Sequence, residues 1–158
     1  MAGLEDLYRE IILDHYRSPR NRGELPAPPA QKSEGFNPLC GDEIVVYLDV
    51  RDGVVDDIKI GGQGCSISQS SASMMSAAVK GQSVTDAHRL VRAFKNMMSI
   101  HEHTLDGEDG ELVAEEPDVK LGDLEALRGV VKFPVRIKCA TLAWNTLVQG
   151  LEEADANA

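Results

Sequence analysis

Three cysteines and one aspartate are the residues of this chain best suited to chemistry. Cys40 stands in Asn37-Pro38-Leu39-Cys40-Gly41-Asp42, Cys65 in Gly62-Gln63-Gly64-Cys65-Ser66, and Cys139 in Arg136-Ile137-Lys138-Cys139-Ala140. Each falls at a junction between elements or in the first turns of a helix. A helix N-terminus carries partial positive charge, which favours thiolate over thiol. Thiolate is the form that binds metal and attacks electrophiles. There is no CxxC pair, so spacing alone leaves two readings open: a metal centre, and three unrelated buried thiols. The Cys40-x-Asp42 pair favours the metal. Ligands at i and i+2 converge on one ion if the turn between them is sharp, and Gly41 permits that bend. Three thiolates and one carboxylate complete a tetrahedral zinc shell. Its formal charge is about -2, which Arg136 and Lys138, beside Cys139, are suited to offset.

Other chemical residues read more plainly. His101-x-His103 adjoins an acidic stretch and is expected to be solvated rather than ligating. His15 lies between apolar positions and reads as a packed or capping residue. Gly61, Gly62 and Gly64 lack the spacing of a nucleotide loop; they suit a close backbone approach to the metal. Met74, Met75, Met97 and Met98 read as core, and Trp144 as packed.

The elements that must position these residues follow from periodicity. Leu4, Leu7, Ile11, Ile12 and Tyr16 repeat at three- and four-residue steps, which predicts an amphipathic helix. Pro19 should stop it near Ser18. A proline-rich extended linker follows at 25–30. Ile44, Val46, Leu48 and Val50 alternate with Glu43, Val45, Tyr47 and Asp49 in a strand. Arg51-Asp52-Gly53 is a hairpin turn, and 54–61 the return strand, with Ile58 and Ile60 on one face. A further short strand is expected at 31–36. From Ser66 a helix puts Ile67, Ser71, Met74, Met75 and Ala78 on one face and ends at Gly81. Ser83 caps the next helix, with Asp86 at its third position; Leu90, Val91, Phe94, Met97 and Met98 form its stripe. Residues 102–125 hold ten acidic residues and one basic one, Lys120. They predict a solvated, partly irregular insertion, with a short helix near 123–127. The last helix starts around Pro134 and buries Leu142, Ala143, Thr146, Leu147, Gly150 and Leu151. This order reads as α+β, with helices packed on a small antiparallel sheet.

Composition narrows the class. The 158 residues suit one domain with a real core. Aromatics are sparse at 4%, so that core must be aliphatic. A net charge of -10 disfavours nucleic acid and anionic membrane surfaces as partners. No apolar run approaches the roughly 20 residues that span a bilayer, and the first ten residues carry no secretory pattern. An odd cysteine count implies no disulfide framework. Together these favour a reducing cytoplasm, where thiolates stay available.

The segments Asn37-Pro38-Leu39-Cys40-Gly41-Asp42, Gly64-Cys65-Ser66-Ile67-Ser68 and Lys138-Cys139-Ala140 resemble the three cysteine motifs of the IscU/NifU-like family. Leu7-Tyr8 through Asp14-His15-Tyr16 to Pro19-Arg20-Asn21 is similar to that family's first helix. The resemblance runs in order over nearly the whole chain. It implies one domain over 1–158 of the SufE/NifU (IscU-like) fold, a three-stranded antiparallel sheet packed with helices, carrying the acidic insertion at about 102–128. Two departures resemble the zinc-binding, sulfur-transferring SufU-type branch. Lys138 stands where scaffold members carry a histidine before the last cysteine, and the acidic insertion lies between Met98 and Val131. Phe133-Pro134-Val135-Arg136 replaces the scaffold branch's proline-proline-valine-lysine chaperone site.

The resemblance implies one zinc on Cys40, Asp42, Cys65 and Cys139. It implies a SufS-type cysteine desulfurase, a pyridoxal-phosphate enzyme, as partner, and Cys40 as the thiol that accepts sulfur as a persulfide. A desulfurase histidine would take over a zinc position and free that thiolate. The sulfur would then pass to downstream proteins of iron–sulfur cluster assembly, so the activity is that of a sulfurtransferase acting with the desulfurase. The Cys40 loop, between Pro38 and Gly41, suits this role because a backbone shift there is cheap. Two rivals stand beside this reading. A scaffold would build a cluster on the same residues, but the protonated ammonium of Lys138 does not ligate iron. A closed four-ligand shell is also the mark of purely structural zinc.

Overall fold

The computed structural model describes residues 4–27, 29–38, 41–106 and 121–156. Helix α1 spans Leu4–Arg17 and stops where Pro19 requires. Strands β1 (Gln31–Asn37), β2 (Asp42–Arg51) and β3 (Val54–Gln63) follow, then α2 (Ser66–Val79), α3 (Val84–Asp106), a 3-10 segment (Gly122–Lys132) and α4 (Pro134–Ala156). The sheet is antiparallel in the order β1-β2-β3. The β2–β3 hairpin closes through Asp52 and Gly53 with φ of 53° and 74°. Two consecutive positive φ values make the turn whose twist matches the strands. The far edge of β3 is covered by the chain after α1: Ile60 N–H donates to the Asn21 carbonyl and Gly23 N–H to the Ile60 carbonyl.

One face of the sheet makes the core floor. Ile44, Val46 and Leu48 of β2 and Ile58 and Ile60 of β3 are buried there, in the alternation expected of a half-buried sheet. Helix α4 packs on β1 and β2. It buries Ala143, Trp144, Leu147 and Leu151, together with Phe94, Met97 and Met98 of α3. Trp144 stacks on Phe94 with ring centroids 4.4 Å apart and planes 12° from parallel.

Two elements differ from expectation. Helix α2 is not amphipathic: Ser68 through Ser76 is buried without a break, because α1, α4, β3 and the 3-10 segment all pack around it. Its serines make this possible. Ser71 Oγ donates to the Ala140 carbonyl (2.6 Å) and accepts from Trp144 Nε1–H (3.0 Å), tying α2 to α4. Ser73 Oγ accepts from Arg20 N–H and bonds His15 Nδ1, both at 2.8 Å. Ser76 Oγ donates to the Ser73 carbonyl at 2.7 Å and accepts from the Asn21 side-chain amide at 3.1 Å. The other ring nitrogen of His15, Nε2, lies 3.1 Å from Asp123 Oδ2.

The acidic stretch is the second difference, although the short helix expected near 123–127 is present. Helix α3 continues to Asp106, and beyond Gly122 the chain is a packed 3-10 helix that buries Leu124, Ala126, Leu127 and Val130. Local charge had masked these apolar positions. Residues 107–120, the centre of the expected insertion, lie outside the described residues, as do the side chains of His101 and His103.

Candidate metal centre

Three chain segments end at one point. Asp42 opens β2 and pairs in register with Asn37, the last residue of β1. Cys65 is the N-cap of α2, two residues beyond β3, with extended φ and ψ of -69° and 168°. Cys139 lies in the second turn of α4. A carboxylate oxygen of Asp42 and the Sγ atoms of Cys65 and Cys139 all fall within 4.8 Å of one another. Asp42 and Cys139 are fully buried, and Cys65 is half-buried.

Gly64 makes this convergence possible. A Cβ there would stand 2.5 Å from Asp42 Oδ1 and 3.1 Å from Asp42 Cα, so any side chain would push β2 away from the α2 cap. Gly62, with φ of 105°, plays the same part against the backbone of Glu43. Gly41, just before Asp42, has φ of 68°, so the chain enters β2 through a left-handed bend.

The donors around the cluster are arranged for sulfur and for one carboxylate oxygen. Cys65 N–H donates to Asp42 Oδ1 at 2.9 Å. Ser68 N–H donates to Cys65 Sγ at 3.4 Å. The buried amide of Asn37 donates to Cys139 Sγ at 3.8 Å. The other carboxylate oxygen, Asp42 Oδ2, is buried with no hydrogen-bond partner among the described residues. A buried acceptor without a partner is costly, and a cation between it and the two sulfurs would satisfy it. Two sulfurs and a carboxylate suit zinc, which takes four ligands in a structural shell. Asn37 and the Ser68 backbone are second-layer donors of the kind that orient metal-bound ligands. Sequence reading missed both as such, although each sits inside a cysteine segment, where a buried polar neighbour was the available signal.

Cys40 lies outside the described residues, so the structure brings together three of the four expected ligands. Arg136 and Lys138 are exposed on the first turns of α4. Arg136, with Tyr8, Ile12, Ile67, Val130 and Phe133, lines a cavity of about 550 Å³ that opens beside the start of α2. Trp144, expected to be packed, is fully buried.

A NifU-like N-terminal domain model matches residues 7–140, and the chain belongs to that family. It is 41% identical over 154 residues to the zinc-dependent sulfurtransferase SufU of Bacillus subtilis, covering 98% of this chain and 95% of that one. It is 37% identical over 158 residues to the iron–sulfur cluster assembly scaffold protein IscU of Streptococcus pyogenes, covering 100% and 90%. Among solved structures, an assembly scaffold protein for the SUF system from Fervidobacterium islandicum superposes with a TM-score of 0.73 at 29% identity, covering 94% of this chain and 99% of that one. The three-stranded α+β architecture is thus that of the family. Among the described residues, no helix is long and apolar enough to cross a membrane.

Proposed function

We propose that this chain is a zinc-dependent sulfur acceptor and transfer protein, which takes persulfide sulfur from a cysteine desulfurase and passes it to iron–sulfur cluster assembly. The observation that carries the reading is the convergence of Asp42, Cys65 and Cys139 around an unpartnered carboxylate oxygen. The likeness to the Bacillus subtilis sulfurtransferase supports it. Cys40 is the fourth ligand and the acceptor. Bound zinc, one per chain, keeps the cysteines ionised at neutral pH.

In the transfer, the Cys40 thiolate attacks the outer sulfur of the desulfurase persulfide. A new S–S bond forms on Cys40, the old S–S bond breaks, and the desulfurase cysteine leaves as thiolate. No external oxidant or reductant is needed. Asp42, Cys65 and Cys139 are held by the start of β2, the cap of α2 and the second turn of α4. Arg136, exposed one turn before Cys139, and Lys138 meet the partner and offset the negative charge of the ligand set.

The test is a single turnover with a SufS-type desulfurase and cysteine, followed by alkylation and peptide mass spectrometry. The persulfide is expected on Cys40, and Cys40→Ser should abolish transfer. A stable persulfide found mainly on Cys65 or Cys139 would refute the assignment. Elemental analysis should find close to one zinc; stoichiometric iron in the protein as isolated would favour a cluster scaffold instead.

A further inference from the structure

Helix α2 has five buried serines, Ser68, Ser70, Ser71, Ser73 and Ser76. Four have committed hydroxyls: Ser70 bonds the Ser66 carbonyl, and Ser71, Ser73 and Ser76 tie α2 to its surroundings. Ser68 is fully buried, and its Oγ has no partner among the described residues. The reason is local. A buried helical serine normally returns its proton to the carbonyl four residues back. For Ser68 that residue is Gly64, which precedes the Cys65 N-cap and lies outside the helix.

An unpartnered buried hydroxyl costs stability, so its retention calls for an acceptor that is not a fixed part of the fold. Side chains in a helix lean toward its N-terminus, and the residue three positions before Ser68 is Cys65. The Ser68 N–H already donates to Cys65 Sγ. Among the other unpartnered buried atoms, Ser33 Oγ lies about 13 Å along β1 from Asn37. Gln69 has its Oε1 held by Arg22.

Resting on the metal centre proposed above, we infer that Ser68 is a positioning residue for Cys65: when Cys65 is a metal-bound thiolate, Ser68 Oγ–H donates to its Sγ beside the backbone N–H. Metal binding turns a weakly accepting thiol into an anion with lone pairs to fill, which is the change that engages an idle donor. Two hydrogen bonds on Cys65 hold it on the metal and lower its nucleophilicity.

The test is cobalt(II) binding to metal-free protein, read by its thiolate-to-cobalt charge-transfer band, in wild type, Ser68→Ala, Ser68→Thr and Ser70→Ala. Ser68→Ala should lose roughly 10- to 100-fold in metal affinity, the usual effect of removing such a donor. Its charge-transfer band should move to lower energy, because a thiolate without that hydrogen bond is the better electron donor. Ser68→Thr, which keeps the hydroxyl, should recover the band position, and Ser70→Ala should leave it unmoved. The metal-free Ser68→Ala protein should melt no lower than wild type, since only an unpartnered hydroxyl has gone. Wild-type affinity and band position in Ser68→Ala would overturn the inference. So would a loss of affinity matched by an equal destabilisation of the metal-free form. A wild-type protein that takes up no cobalt would overturn the metal centre itself, and this inference with it.

Discussion

Replacing Asp42 by asparagine should move the protein in opposite directions with and without metal. In the structure Asp42 Oδ1 accepts the Cys65 N–H, while Oδ2 is buried and has no partner among the described residues. Asparagine keeps the first bond through its carbonyl oxygen. It also puts an amide donor where Oδ2 stood, close to two sulfur acceptors. Relieving an unsatisfied buried acceptor is worth about 1–3 kcal/mol. For a chain of 158 residues, each kcal/mol shifts Tm by about 2–4 °C. The metal-free variant should therefore melt higher than metal-free wild type, by something on the order of 3–10 °C. With zinc at ~100 times its dissociation constant, wild type gains about 2.7 kcal/mol, a rise of similar size. The amide is a far weaker ligand, so the variant's zinc-dependent rise should shrink to about half if the site is tenfold weaker, and further if it is weaker still. Calorimetry on chelator-stripped and zinc-loaded samples measures both quantities. A lower Tm for the metal-free variant, or an undiminished zinc response, would show that Asp42 is a structural carboxylate and that the orphaned oxygen was misread.

Two further predictions concern the packing that carries the site. Ser71→Ala strips the Trp144 indole N–H of its partner in a fully buried setting. It should cost about 1–3 kcal/mol and lower Tm accordingly, with an unchanged melt counting against the Ser71 link between α2 and α4. Asp14 is held below its ordinary value of 3.8 by the hydrogen bond from Arg20 and then by attraction to that guanidinium. A depressed carboxyl stabilises the fold above its unfolded value and loses that contribution as pH falls through the folded one. Asp14→Asn should therefore melt slightly below wild type at neutral pH, with the gap closing once pH drops below about 3.8; a gap that widens in acid would contradict the pairing.

Much of the architecture was legible because local rules and tertiary packing agreed. The alternation from Ile44 to Leu48, the Asp52-Gly53 turn and the Ser83 cap, whose Oγ accepts from Asp86 N–H at 3.0 Å, are dictated within a few residues. The stripe from Leu90 to Met98 and the break at Pro19 are local in the same sense. For the site, residue type and spacing left a metal centre and three buried thiols both open; the Cys40-x-Asp42 pair and the family resemblance favoured one ion on Cys40, Asp42, Cys65 and Cys139. Tertiary structure decided the rest. Only a fold could bring Cys65 and Cys139, 74 residues apart in the numbering, to within 4.8 Å of each other and of a carboxylate. Only packing on every side could bury α2, whose serines act as ties to the elements around it. The same holds for Leu124 and Leu127: a short helix was expected there, but their burial came only from α1, α2, α3 and α4 packing around them. Local sequence sets φ, ψ and residue chemistry. Burial depends on which distant elements arrive, so the unpartnered oxygen of Asp42 and the idle hydroxyl of Ser68 became visible only once the neighbours that surround them were in place.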